Sequence, residues 1–482
     1  MKKEIFNKYL KKIGLFFLAV VLLFIVFKGV IKRPKREMKD GKIVVQYWEK
    51  WTGFEGEAIQ EIVDDFNVSQ DRIFVKILTV SDIAQKIMLA TAGGNPPDIA
   101  GLRTEDVSVF ADKGALTPLS GMFKKSNLKK EDYLPIYIKL CEHHGFLWAL
   151  PSTPATIALH WNKKLFKAAG LDPDKPPGTL KELDEMVEKL TIVSLERNGE
   201  ELELTYPELT EKEKADKDFK IIQLGHNPFV PGWWVAYWPF WFNGKLWDGK
   251  DKITAYTPEN VEAFRWIQSY SKKYGLKNMQ SFSSSFGNFS SPQSPFLSGR
   301  VAMVIQGVWM YNFIEKYAPQ LEWGAAPFPS VVPRTDNPVT LAECDVFVIP
   351  KGAEHIKEAF EFICFASRQE VMEKLCMNHR KFPPFKKVSD DFISNHPNPQ
   401  IKMFMDLAMS SNAGFMPRMA VINEYADEMN GAAEQVFSLR KSPEEALEYV
   451  QKRVQPKIDR VMRRWNIVKE SRIKEWGKYD QR

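Results

Sequence analysis

The sequence predicts an α/β protein of two lobes, preceded by an N-terminal transmembrane helix. Three observations carry this expectation. The chain has 482 residues, 44% of them apolar, which is too long for a single core. From Lys42 onward, strand-like runs alternate with helical-period runs, the pattern of a mainly parallel sheet covered by helices. Residues 13–27 (IGLFFLAVVLLFIVF) form an unbroken apolar run.

That run comes first. Continued past Lys28 to residue 31 it reaches nineteen residues, close to the roughly 20 of a spanning helix. Lys28 can snorkel its ammonium to the interface. No small-x-small cleavage site follows, and no cysteine for lipid attachment. The reading is an uncleaved signal anchor over residues 13–31, with a cleaved signal peptide as the alternative. Both flanks are basic, so loop charge does not orient the segment. Residues 1–41 are then anchor and charged tether.

The folded part opens with residues 43–48 (IVVQYW), a buried strand. Ile59, Ile62, Val63 and Phe66 mark a helix over 57–67. A strand over 72–78, a helix over 82–92 stopped by Gly93-Gly94, and a strand opening at Pro97-Asp98 complete the alternation. Residues 146–151 and 156–161 read as two strands, with Ser152-Thr153-Pro154-Ala155 between them as a candidate crossover. Thr179 and Glu182 form a capping-box pattern. Residues 194–220 read as an irregular charged surface excursion, and 281–294 as a loop. Residues 296–303 turn into a strand that runs through Ile305, and another strand follows over 341–350. The chain beyond 355 is mostly helical, ending in a long basic helix whose Arg453, Arg460, Arg463, Arg464, Arg472 and Lys474 read as a solvated face.

Charge and cysteine content exclude several classes. The net charge of +6 comes from residues 1–39, which alone carry +9 and leave −3 for the rest. The body therefore has no electrostatic footprint for nucleic acid. Cys141, Cys344, Cys364 and Cys376 form no CxxC pair and are expected as buried free thiols. Cys141, His143 and His144 offer a Cys-x-His-His group, but nothing near them in sequence completes a ligand set, so no metal or cofactor is expected. No motif fixes two carboxylates together as a glycosidase needs, so no enzyme is expected.

Several segments, in order and at consistent spacing, resemble the bacterial extracellular solute-binding protein family 1. They are the strand ending Tyr47-Trp48; Gly93-Gly94-Asn95-Pro96-Pro97-Asp98; Gly114-Ala115-Leu116-Thr117-Pro118-Leu119; Trp161-Asn162-Lys163-Lys164-Leu165-Phe166; Pro177-Gly178-Thr179-Leu180; and residues 296–303 followed by Gly307-Val308-Trp309. The family's usual Trp stands as Leu180 here, and its lipid-attachment Cys is absent. The resemblance implies a type II periplasmic-binding-protein fold with hinge-connected lobes, residues 42–153 plus 297–343 in one and 154–296 plus 344–482 in the other. It implies capture of a sugar or oligosaccharide for an ABC importer, on the periplasmic side of the inner membrane. The partners would be a carbohydrate and the permease subunits, with the chain a monomer. A non-carbohydrate solute, or a membrane-anchored sugar sensor, are the alternatives.

Sugars present apolar C–H faces and rings of hydroxyls, so their sites combine flat aromatics with bidentate polar groups. After the first strand, Trp48, Glu49, Trp51 and Thr52 sit where strand ends meet ligand crevices. Arg103 and Glu105 follow the strand opened by Pro97-Asp98. Residues 233–242 (WWVAYWPFWF) supply Trp233, Trp234 and Trp238, with Trp241 beside them. The resemblance adds Trp309 as a stacking residue, Glu343 and Asp345 in a crossover strand, and Arg418 and Tyr425 near the cleft.

Overall fold

The computed structural model describes residues 38–232, 235–333 and 336–479. The expected anchor at 13–31 lies outside the described residues. Among those described, no helix is long and apolar enough to cross a membrane.

The chain builds its first half as expected. β1 (Lys42–Glu49) alternates Val45 and Tyr47 into the core and leads through a turn to α1 (Gly53–Ser69), which buries Ile59, Ile62, Val63 and Phe66. β2 (Ile73–Thr79) pairs in parallel with β1 over seven residues, from Ile43 opposite Ile73 to Glu49 opposite Thr79. α2 (Ile83–Ala92) returns to β3 (Ile99–Arg103), parallel to the other edge of β1. α3 (Thr104–Asp112) follows directly. A two-residue turn at His144-Gly145 then joins β4 (Glu142–His143) to β5 (Phe146–Leu147).

β6 (Ala149–Asn162) is one strand of fourteen residues, all buried. At about 3.3 Å per residue it spans roughly 45 Å. The two strands expected at 146–151 and 156–161 are joined by the crossover itself. Lobe two is then built on α4 (Leu180–Leu190), β7 (Ile192–Arg197), β8 (Glu200–Thr205), β9 (Lys220–His226), α5 (Pro258–Tyr274) and β10 (Val301–Gly307). β6, β10, β9, β7 and β8 are neighbours in that order. Residues 192–205, expected to be irregular from 194 onward, form an antiparallel edge hairpin. Its outer strand is largely exposed and rich in Glu, and such a strand needs no apolar alternation.

After α6 (Met310–Tyr317) and β11 (Trp323–Ala326), β12 (Thr340–Val348) runs back antiparallel to β6 along its length and also pairs with β3. The helices α7 (Ile356–Ala366), α8 (Gln369–His379), α9 (Ile401–Met409), α10 (Ile422–Phe437) and α11 (Pro443–Gly477) complete the chain.

Two large apolar cores result. The first takes residues from 45–155 and from 342–408; the second takes residues from 157–305, Leu341 and 419–458. Residues 301–305 and 344–408 are therefore exchanged relative to the expected division, whereas 419–458 lie with lobe two as expected. β10 belongs with the second core because it pairs with β9 and with the far half of β6. The segment after Ala342 joins the first because α7 packs Phe362 onto Phe66 of α1, rings 5.3 Å apart. β6 and β12 belong to both cores. At their middle the ladder is irregular between Cys344 and Val346, opposite Pro154 and Pro151. Proline has no N–H to give, so the ladder loses donors at the point where the chain passes between cores. The four cysteines are free, three of them buried.

α11 ties the cores together. Ser442 and Glu445 form its capping box with Pro443 at its first position. Leu447, Val450, Val454 and Ile458 face the second core, whereas Trp476 is buried in the first, with Trp465 against it. Arg453, Arg460, Arg463 and Arg464 lie exposed.

Close approach of α4 to β9 depends on Gly225. A Cβ there would sit 2.5 Å from the backbone Cα and O of Val187. Backbone cannot give as a side chain can, so Gly225→Ala is expected to destabilise the chain by about 2 kcal/mol or more. A thermal or urea melt measures this, and an unchanged midpoint would refute it.

Candidate functional site

A cavity of about 590 Å³ lies where the crossing strands pass between the two cores. One wall comes from the carboxyl ends of β1 and β3, which supply Lys50, Trp51, Glu55, Arg103 and Glu105. The crossing strands form another part, with Thr153, Ala155, Glu343 and Asp345. The opposite wall follows β10 and holds Trp309, Asn312 and Phe313, with Phe289 beside them. Strand ends in open α/β sheets leave this kind of crevice.

Asp345 is the electrostatic centre. Its carboxylate meets the Lys50 ammonium at 2.9 Å and the Lys381 ammonium at 3.2 Å, and accepts from the Thr153 hydroxyl at 2.9 Å. Burial alone would raise its pKa, but the two ammonium groups hold it well below the usual carboxylate range. Lys50 also lies 3.2 Å from Glu49, and Lys381 3.6 Å from Glu55. Arg103 pairs with Glu105 at 3.2 Å. Arg103 and Lys381 compensate Glu343 only in part: burial, and next the Glu105 carboxylate, push its pKa up to about 8, which favours the protonated form that can donate a hydrogen bond.

Trp309 supplies the flat surface. Its ring lies over Gly307, where a Cβ would come within 2.3 Å of it. Its indole N–H donates to the Gln306 side chain at 3.1 Å. The ring is half-buried and touches both cores. Trp51 is nearly buried, edge-on to His379 at 4.5 Å and beneath the Lys50 ammonium at 4.9 Å.

Of the residues expected here, Trp51, Arg103, Glu105, Trp309, Glu343 and Asp345 line the cavity. Glu49 lies beneath it, 1% exposed, accepting from the Tyr47 hydroxyl at 2.5 Å and filling the space that Gly101 leaves open. The others are placed elsewhere. Trp48 points to the other face of β1 and packs on the first core. Thr52 is the exposed residue preceding α1. Trp238 is fully buried, its N–H donating to Pro228 O at 3.0 Å and its ring packed on Trp241, Trp266 and Phe328. The second core needs these indoles as filling. Tyr425 is 1% exposed and donates to Leu246 O at 2.8 Å. Arg418 lines a separate, larger cavity, its guanidinium donating to the carbonyls of Lys139 and Glu142. Trp233 and Trp234 lie outside the described residues. Sequence reasoning missed Lys50, Thr153, Lys381, Phe289, Asn312 and Phe313. Lys50 and Thr153 were adjacent to named features; Lys381, in a mixed helical stretch, gave no signal.

The model of a family described as bacterial extracellular solute-binding protein matches residues 55–373. A maltotriose-binding protein of Pyrococcus abyssi is 22% identical over 366 residues, covering 75% of this chain and 70% of that protein. An sn-glycerol-3-phosphate-binding periplasmic protein of Brucella abortus is 28% identical over 151 residues, covering 30% of this chain and 35% of that protein. The solved structure of CpMnBP1 with mannotriose bound superposes with a TM-score of 0.71 at 27% identity, covering 85% of this chain and 99% of that one. With its two α/β cores, its shared crossing strands and this match across two thirds of its length, the chain belongs to the bacterial extracellular solute-binding protein family.

Proposed function

We propose that the chain captures a neutral sugar or oligosaccharide in the cavity between the two cores and catalyses no reaction on it. Closure about β6 and β12 buries the ligand. The loaded form is then presented to ABC permease subunits on the extracytoplasmic side of the membrane, with residues 13–31 as anchor. The observation that carries this reading is the cavity's composition: one half-buried indole face beside a dense set of ionic and protonated carboxyl groups. Stacking on C–H faces and charge-assisted bonds to hydroxyls need both. The volume falls in the roughly 300–1,000 Å³ range of small-molecule sites. The relatives that bind maltotriose and mannotriose support the ligand class.

The same composition argues against a phosphate ester. Lys50, Lys381 and Arg103 each face a carboxylate already. An incoming phosphate would compete with Asp345, Glu55 and Glu105 for them, and would meet their negative charge. A thermal-shift screen tests the distinction. Mannotriose or maltotriose is expected to raise the melting temperature of the chain, because ligand binds the native state. sn-Glycerol 3-phosphate is expected to leave it unchanged; the reverse pattern would overturn the neutral-sugar reading.

Trp309→Ala removes the stacking face, which is only half-buried against the two cores. It is expected to weaken oligosaccharide affinity about tenfold, equivalent to about 1.4 kcal/mol, with the fold retained and the unliganded melt lowered only modestly. Unaltered affinity in titration calorimetry would remove Trp309 from the site.

The Glu343 carboxyl gives a pH signature. Its folded pKa is raised above the unfolded value, so its stabilisation is complete below the unfolded value near 4.5 and is lost as pH rises toward about 8. Glu343→Gln keeps the donor and removes the titration. The variant is expected to match the parent near pH 5 and to be more stable than it at pH 8. Parallel pH profiles for the two proteins would contradict the assignment.

A further inference from the structure

A second cavity, of about 1,310 Å³, lies between α11 and the β4–β5 hairpin, away from the crossing strands. Asp112, His143 and His144 stand together on its wall. One ligand atom from each lies within 4.8 Å of the others. His143 Nε2 is 2.8 Å and His144 Nε2 2.9 Å from the same oxygen, Asp112 Oδ1. Neighbouring residues on an extended chain point to opposite sides. Here both rings reach one oxygen because His144 occupies the first position of the hairpin turn with φ +50°, and Gly145 the second with φ +81°. That turn favours Asn-Gly, so a histidine at its first position has given up local preference for what its ring can do. His144 is held from behind by Trp465, stacked at 3.7 Å and 10°. The hairpin is pinned by the Trp148 N–H, which donates to His143 O at 2.9 Å.

We propose that Asp112, His143 and His144 form a binding site for a divalent transition-metal ion, with zinc the best fit. Two imidazoles and one carboxylate are a common donor set for such ions, and zinc accepts it tetrahedrally. For Zn–N and Zn–O bonds of about 2.0–2.1 Å, tetrahedral donors stand roughly 3.3 Å apart. The two Nε2–Oδ1 separations need open by only about half an ångström. The three side chains are half-buried on the cavity wall, within reach of solvent. Arg418, Lys113 and Lys139 share the cavity wall with the Glu142 carboxylate, and the Arg418 guanidinium is engaged by two backbone carbonyls. The expectation of no metal was drawn from sequence neighbours alone. Cys141 is buried in the first core, and the completing ligand, Asp112, comes from the end of α3, 31 residues before His143.

The site is independent of the oligosaccharide reading, and so is its test. The full-length chain, stripped with a chelator, is titrated with zinc chloride against a chromogenic competitor, and separately with cobalt(II) chloride followed by visible absorption. The expected result is one tight zinc per chain and a tetrahedral cobalt spectrum. His143→Gln and Asp112→Asn are each expected to weaken zinc on the order of 100-fold. His144→Asn supplies the residue that the turn prefers, so it removes the ring while keeping the hairpin, and the same loss of zinc affinity is expected. A wild-type chain that binds no zinc above a non-specific level, or a cobalt spectrum without tetrahedral bands, would overturn the proposal. So would full affinity in His144→Asn or His143→Gln.

Discussion

The structure depends on one shared ladder. β6 and β12 run antiparallel through both apolar cores, and each contributes residues to the two. The floor of the cavity between the cores is positioned from them. Thr153, Ala155, Glu343 and Asp345 lie on the ladder itself, and Arg103 is held in register with Asp345 where β3 pairs with β12. The same stretch carries Pro151 and Pro154, so the ladder is poorest in hydrogen bonds where the two cores meet. A strand pair that is continuous yet locally under-bonded permits rotation between bodies without unfolding either of them, as domain closure requires.

The electrostatics of the cavity follow from that placement. A buried carboxylate such as Asp345 is costly unless paired. It meets Lys50 from the end of β1 and Lys381 from the segment after α8, which are separate parts of the first lobe. The pairing holds those parts against the crossover and sets the polar floor of the cavity. Across from it stand Trp309 and α6. Asn312 of α6 donates to His379 O at 3.3 Å, so the far wall already reaches the near one in this arrangement. α11 adds a second bridge on the other side of the molecule, from Ile458 in one core to Trp476 in the other. Motion between the lobes must therefore be accommodated along this helix as well as at the ladder, and Pro456 interrupts its hydrogen bonding near the point of passage.

Much of this was legible in the sequence. The alternation from β1 to β3 was read from apolar period alone, and the crossover from a proline-bounded stretch between two strand-like runs. Trp309, Glu343 and Asp345 were found because a resemblance fixed their order in the chain. What failed had physical causes. Trp238 and Tyr425 are aromatic residues in aromatic surroundings, and nothing in a linear pattern separates a ring that fills a core from one that faces a cleft. The hairpin over 192–205 was missed because an exposed edge strand obeys no burial alternation. The lobe assignments of residues 301–305 and 344–408 were exchanged because strand pairing and packing, not chain order, decide which core a segment joins. The Asp112–His143–His144 group was hidden by separation in sequence, since a hairpin turn and a helix end must fold before they meet.

The central claim is that one ligand is held by two walls belonging to different cores. Amide hydrogen exchange on the full-length chain, with and without saturating mannotriose, tests it most directly. The account predicts protection in both walls at the same ligand concentration: in residues 50–55 and 103–105 on one side, and in residues 307–313 on the other. Protection of one wall alone, or of neither under conditions where mannotriose is bound, would contradict it.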